Sequence, residues 1–307
     1  MKFLFTAAVI IFSYSCSFTQ NTSYEPIPLD DAWKEKIYQL APEKTSAPIS
    51  KKHKVLLFSL FTGFNHWVIP HADVVITTLG KKTGAYEIVK STDVFLFEKE
   101  TLKQFDAIVL NNNCSVGPRR DLFFDALDFN TTLSEEDKKI KAAEFEANML
   151  DFVKKGGGLA VLHGGIVMQN NSSEVSAMIG GSFDYHPPQQ EIELQLAEKD
   201  HPLTMAFDGK SFTHYDEPYF FKNAYAQKNF RPMLYMEISK LTKVRHETDD
   251  KIAYVSWIKS FGKGRVFYVS PSHNAHSYEN TRMLKYYLNG MQYVLGDLKC
   301  DDSTIQP

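Results

Sequence analysis

Polar side chains that can transfer protons follow three apolar runs of this sequence, each with the character of a buried strand. Asn65 and His66 come after the first run, and His163 ends the second within a glycine-rich stretch. His273 and Asn274 follow the third run. A neutral imidazole titrates near pH 6.5, so it both accepts and donates protons near neutral pH. These residue types therefore indicate acid–base chemistry, with His163 and His273 as the preferred pair.

Each histidine also has a structural interpretation. A single histidine at a strand end often serves only as a hydrogen-bonded part of the fold, and this alternative stands open for His66 and His163. For His273 the functional interpretation is favoured, because residues 271–276 are dense in polar groups where a helix begins.

The elements that must position these residues alternate along the chain. Short apolar runs are typical of buried parallel strands, and stretches between them are compatible with helices. Strands are predicted at 54–59, 87–90, 107–110 and 159–162, with helices at about 70–82 and 135–154. Ser134 is a predicted N-cap, and the glycines at 156–158 end that helix. This alternation predicts an α/β fold with a mostly parallel sheet covered on both faces. Ligands of such open sheets bind outside the carboxyl ends of the strands.

The C-terminal half is richer in strands. Residues 191–197 alternate apolar and polar side chains, and runs at 252–257 and 265–269 flank a turn at 262–264. A last helix is expected at about 279–295. We find no internal repeat, so one domain is predicted at 53–297, followed by a tail at 298–307.

The N-terminal residues have the layout of an export signal. Lys2 precedes an apolar run at 3–12 that is too short to span a bilayer about 30 Å thick. We expect a signal peptide at 1–16 and export to the periplasm. Cys16 is either a lipidated cysteine that anchors the protein to a membrane or part of the removed signal. The polar, proline-containing residues 17–52 are predicted to form an extended leader, with a short helix around 31–40.

The composition of the chain limits which binding partners and cross-links are expected. The formal net charge of −3 gives no electrostatic reason to expect a nucleic acid. After Cys16 the chain holds only Cys114 and Cys300, too few for a disulfide framework. Composition leaves the oligomeric state open, including a homodimer.

Six sequence strings occur in an order that carries a family resemblance. They are FTGFNH at 61–66, FVKKGGGLAVLH at 152–163, GGSFDYHP at 180–187, DHP at 200–202, YDEPY at 215–219 and FGKGRVFY at 261–268. Together with the Ser-His pair at 272–273, they resemble the ThuA-like family of trehalose utilisation over about residues 53–296.

The resemblance implies a flavodoxin-like sheet related to class I glutamine amidotransferases. In those enzymes the turn after one strand carries a nucleophilic cysteine, whereas here the strand at 159–162 runs into His163. Neither Cys114 nor Cys300 has a predicted base beside it, so amidotransferase activity is not expected. The resemblance instead implies chemistry on trehalose, related disaccharides or their 3-keto derivatives.

The resemblance also places further residues near the same cleft. His186 and the pair Asp216 and Glu217 would lie in loops beside it, as proton relays, orienting groups or metal ligands. Tyr219 stands beside them as a candidate substrate-binding residue, together with Asn65, His66, His186 and Asn274.

Three functions fit these residues. A histidine paired with Asp216 or Glu217 suits proton abstraction next to a keto group, whereas ordinary glycoside hydrolysis needs two carboxylates about 5–9.5 Å apart. Asp216 and Glu217 are adjacent, so in an extended segment they point opposite ways. The histidines with a carboxylate would also suit a divalent metal such as zinc, if the fold brings them together. The third possibility is a non-catalytic sugar-binding protein that uses aromatic residues such as Phe64, Trp67 and Tyr185.

Overall fold

The computed structural model describes residues 25–130, 132–245 and 249–305. The predicted signal peptide and Cys16 lie outside these ranges. Within them, no helix is long and apolar enough to cross a membrane.

Strands and helices alternate through the first half of the described chain, and strands dominate the second. The strands are β1 His53–Phe58, β2 Tyr86–Ser91, β3 Ala107–Asn111, β4 Gly158–Leu162, β5 Ser182–Tyr185, β6 Gln190–Leu196, β7 Phe212–Asp216, β8 Phe220–Lys222, β9 Arg231–Glu237, β10 Ile252–Phe261 and β11 Gly264–Val269. The helices are α1 Asp31–Leu40, α2 Ile69–Thr83, α3 Lys99–Leu102, α4 Leu122–Asn130, α5 Glu135–Lys154, α6 Ser173–Ile179 and α7 Thr281–Val294.

One nine-stranded sheet organises the fold, in the order β2-β1-β3-β4-β11-β10-β9-β6-β7. The strands from β2 to β11 in this order pair in parallel, whereas β10, β9, β6 and β7 extend the sheet with antiparallel pairs. β5 and β8 form a separate antiparallel ribbon. The prediction of an α/β fold with a mostly parallel core and a strand-rich C-terminal half is therefore confirmed.

Helices cover both faces of the sheet. One hydrophobic core lies under α1, α2 and α7, and the other lies under α4, α5 and α6. Every residue of β3 and β4 is buried, because these central strands are covered on both sides.

Helix α5 shows how local chemistry sets up the central strand. The Ser134 hydroxyl accepts the backbone N–H of Asp137 at the N-terminus, and three acidic residues occupy the first turn. The helix stops before Gly156, which has φ +124°, a conformation that favours glycine. The chain then enters β4 directly and reaches His163.

The leader is part of the folded domain where the structure describes it. Helix α1 spans Asp31–Leu40, and its Trp33 and Ile37 are buried in the core that α2 and α7 share. These two side chains are four residues apart and so lie on one helix face. The structure thus has a helix at the predicted position 31–40, and its apolar face packs against this core. The tail also packs, with Leu298 buried.

Replacing Trp33 with alanine tests this attachment. The side chain is only 4% exposed, so its removal is expected to lower the free energy of unfolding by about 3–5 kcal/mol. Urea denaturation would measure the loss, with exposed Glu35→Ala as the same-helix control. Equal midpoints for the two variants would show that α1 contributes nothing to the domain.

Candidate functional site

Four side chains converge at the carboxyl edge of the sheet. His66 follows β1, His163 follows β4, His273 follows β11, and Glu217 follows β7. Each offers one ligand atom, a ring nitrogen or a carboxylate oxygen, and these four atoms lie within 4.8 Å of one another. All four residues are buried. The fold therefore brings His66, His163 and His273 together, as their strand-end positions indicated, and adds Glu217 from the antiparallel half.

His163 occupies a strained turn between β4 and a short 3₁₀ helix, His163–Val167. Its φ of +43° is uncommon for a residue with a side chain, and such strain concentrates at functional sites. Its Nδ1 donates to the Ser270 carbonyl at 2.6 Å. The Nε2 atom then faces the Glu217 carboxylate, 3.4 Å from Oε2.

The contacts within the cluster leave electron pairs facing one another. In neutral His163 the Nε2 lone pair and Glu217 Oε2 are both acceptors, so a proton or a cation must lie between them. His273 Nδ1 lies 3.2 Å from the same oxygen and 3.3 Å from His163 Nε2. One small, positively charged centre would satisfy all of these groups at once.

The electrostatics of the cluster agree with that requirement. Burial raises the pKa of Glu217, but hydrogen bonds and charge from His163 and His273 outweigh burial and hold that pKa well below its usual range. Burial, reinforced by the neighbouring histidines, lowers the pKa of His66 well below its ordinary value. Glu217 is therefore an anion and His66 a neutral base, which are the forms that bind metals. Burial lowers the pKa of His273, but Glu217 outweighs burial and raises that pKa, so His273 would release a proton when a metal binds.

The donor set fits a divalent cation. Three imidazole nitrogens and one carboxylate oxygen are ligands that zinc uses in proteins. A histidine that binds metal usually donates its second ring N–H to a carbonyl or carboxylate, as His163 does to Ser270. His66, His163, Glu217 and His273 are therefore the residues that could hold a metal ion.

Asp216 faces the other way from Glu217. It is 1% exposed, and its carboxylate accepts the backbone N–H of Ser272 at 2.7 Å and that of His273 at 3.1 Å. His214 Nδ1 lies 3.2 Å from the same group. Asp216, predicted as catalytic, thus fixes the loop that carries His273 and lies outside the four-residue cluster.

Replacing Asp216 with asparagine is expected to lower the free energy of unfolding by about 1–3 kcal/mol, because buried N–H groups lose a charged acceptor. Urea denaturation of metal-free protein would measure this loss. Exposed Asp208→Asn is the matched control, since its φ of +52° suits asparagine. A stability unchanged in Asp216→Asn would contradict this role.

The remaining residues predicted for the site differ in their exposure to solvent. The His186 side chain is 36% exposed, with Nε2 3.7 Å from Glu217 Oε1. Tyr219 is buried, and its ring centroid lies 4.2 Å from that of His163. Asn274 is buried and donates to Gln189 and to the Tyr215 carbonyl, so it supports the loop. Asn65 is exposed beside His66.

Cys114 lies at the edge of the cluster but is a poor nucleophile. Its Sγ is 3.8 Å from His66 Nδ1, and burial raises the pKa of the thiol to about 12.

Sequence reasoning missed two supporting groups, the Ser270 carbonyl and His214. The alternation Phe212-Thr213-His214-Tyr215-Asp216, which puts His214 and Asp216 on one strand face, was the available signal for His214.

Comparisons with solved structures support the fold. A ThuA-like protein from Bacteroides uniformis superposes with a TM-score of 0.57 at 16% identity, covering 81% of this chain and 94% of that one. A ThuA-like protein from Parabacteroides merdae gives a TM-score of 0.55 at 16% identity, covering 84% and 93%.

No curated protein matches the chain with significant similarity. The family model described as ThuA, trehalose utilisation, matches residues 54–294, which is most of the chain and includes all four residues of the cluster. The chain belongs to the ThuA family and has the carbohydrate-related role that this family implies.

Proposed function

We propose that this protein is an enzyme that performs metal-assisted acid–base chemistry on a disaccharide or glycoside, in particular on its 3-keto form. The observation that carries the proposal is the buried cluster of His66, His163, Glu217 and His273. A buried carboxylate among three imidazoles needs a cationic partner, because burying an unpaired charge costs free energy. The family's link to trehalose utilisation supports a sugar as substrate.

A cation held by the four residues would polarise a substrate carbonyl and stabilise negative charge on its oxygen. Chemistry of this kind needs a separate group to move the proton, because the four ligand atoms are occupied. Two carboxylates flanking a glycosidic bond are not needed for it, in contrast to ordinary glycosidases.

His186 is the group we assign to that proton transfer. Its Nδ1 donates to the Pro187 carbonyl at 2.9 Å, which leaves the Nε2 lone pair free on the side that faces Glu217. Its ring stacks on Tyr219 at 5.7 Å between centroids, with 24° between the planes. Stacking and the Nδ1 bond fix the ring orientation, while its exposure lets a substrate reach it.

The proposed reaction is an elimination from a 3-keto-glycoside. His186 Nε2 takes the proton from the carbon beside the ketone, and the C–H electron pair forms a double bond to the anomeric carbon. The bond from the anomeric carbon to the leaving oxygen breaks, and that oxygen takes the proton back from His186. Charges and protons balance, and no oxidant or reductant is needed.

We also propose that the enzyme acts outside the cytoplasm. The support is the short apolar run after Lys2, which resembles an export signal. Lipidation at Cys16 is the alternative to complete release from the membrane.

The test is mass-spectrometric turnover of a disaccharide panel, native and 3-keto, with added zinc or with a chelator. We expect product from the keto-sugars only, lost with the chelator and restored by zinc. Saturable sugar binding without any product would overturn the enzymatic proposal and leave a sugar-binding protein. Product that persists in the chelator would overturn the role of the metal.

A further inference from the structure

An exposed aromatic ring stands beside the cluster and is not used by the proposed chemistry. Phe64 is 61% exposed, and its ring contacts that of His66 edge-on, with 4.7 Å between the centroids. The Tyr219 ring, which also lies against the cluster, is buried. Exposure alone does not single out Phe64, because Phe129 on α4 is 63% exposed. What distinguishes Phe64 is its contact with His66, a candidate metal ligand.

The loop that carries Phe64 is held firmly. The backbone N–H groups of Thr62 and Gly63 both donate to the Cys114 carbonyl, at 2.9 and 2.8 Å. The Thr62 hydroxyl donates to buried Asp125 at 2.8 Å. A Cβ on Gly63 would lie 2.4 Å from the Ser115 carbonyl oxygen, so only glycine allows this close approach.

A rigid loop that presents an apolar ring to solvent has a cost, since about 25 cal/mol per Å² of apolar surface stays hydrated. That cost is offset when a ligand covers the ring. The exposed amide of Asn65 lies next to Phe64 and can donate and accept hydrogen bonds. An apolar face beside an amide matches a pyranose ring, which has C–H groups on its faces and hydroxyls around its rim.

We propose that Phe64 is the stacking platform for the pyranose ring of the substrate, and that Asn65 binds the hydroxyls at the rim of that ring. This inference rests on the proposed function, because it takes the substrate to be a saccharide. It adds a binding role separate from the proton transfer at His186. Phe64 therefore determines affinity for the sugar and leaves metal binding unaffected.

The experiment is calorimetric titration of the zinc-loaded full chain with trehalose and with 3-keto-trehalose, the latter in a His186→Gln background that does not turn it over. Phe64→Ala is expected to weaken binding of the saccharide that the wild type binds by about tenfold, the scale of one lost aromatic contact. Phe64→Trp should stay within about threefold of wild type, because a ring remains. The matched control is Phe129→Ala, which removes an equally exposed ring from α4, a helix that contributes no residue to the cluster, and should not change the affinity.

Equal affinities for Phe64→Ala and Phe129→Ala would overturn the platform while leaving the proposed function standing. A wild-type protein that binds neither saccharide would overturn both proposals. Metal content, measured for each variant by mass spectrometry, shows whether Phe64 acts on the sugar or on the metal site. A loss of zinc in Phe64→Ala would mean that the ring supports His66 and does not meet the sugar.

Discussion

Replacing His273 with alanine is expected to lower affinity for zinc by about 100-fold or more and to abolish keto-sugar turnover. The side chain is 4% exposed and contacts both Glu217 and His163, so no other group can take its place. Even groups behind the ligands typically contribute 10- to 100-fold to metal affinity, so a ligand should contribute at least as much. Competition with a chromophoric chelator would measure the affinity.

The control for this variant is His276→Ala, which removes an imidazole three residues further along the chain, in the short 3₁₀ helix Ala275–Glu279. His276 is not among the four clustered residues, so zinc affinity should stay at the wild-type value. An unchanged affinity in His273→Ala would remove His273 from the centre and contradict the assignment of the four ligands.

Replacing His186 with glutamine is expected to lower turnover by about 100- to 10,000-fold while zinc still binds. Glutamine keeps the size and polarity of the residue but cannot take up a proton. The variant should also stop exchange of deuterium from solvent into the carbon beside the ketone. Proton NMR of the keto-sugar would follow that exchange without requiring complete turnover.

Asp184→Asn, on strand β5 just before His186, is the control, and it should leave both the exchange and the turnover unchanged. Exchange that continues in His186→Gln at the wild-type rate would assign the proton transfer to another group. Loss of zinc from His186→Gln would instead make His186 a ligand and contradict the separation of roles.

The parallel half of the site followed from local patterns. Buried strands of parallel sheets are short apolar runs, so the runs before Asn65, His163 and His273 were visible in the sequence. Parallel strands share one carboxyl edge, which explains why the sequence alone was enough to place His66, His163 and His273 together.

The carboxylate of the site could not be placed in this way. β7 lies at the far end of the sheet order and reaches the cluster only through the antiparallel extension. Alternation showed that Asp216 and Glu217 point opposite ways, but not which of them faces the histidines. That choice depends on pairing with β6, a long-range contact that no local pattern reveals. The placement of α1 could not be predicted either, because Trp33 and Ile37 give no indication in the sequence of which hydrophobic core they join.

The most direct test of the metal centre is X-ray absorption spectroscopy of the zinc-loaded full chain, together with its zinc content. We expect one zinc per chain, with histidine nitrogens and one oxygen at about 2.0–2.2 Å. A sulfur shell at about 2.3 Å would mean that Cys114 is a ligand, and would contradict the assigned set. A chain that retains no zinc would contradict the metal centre altogether.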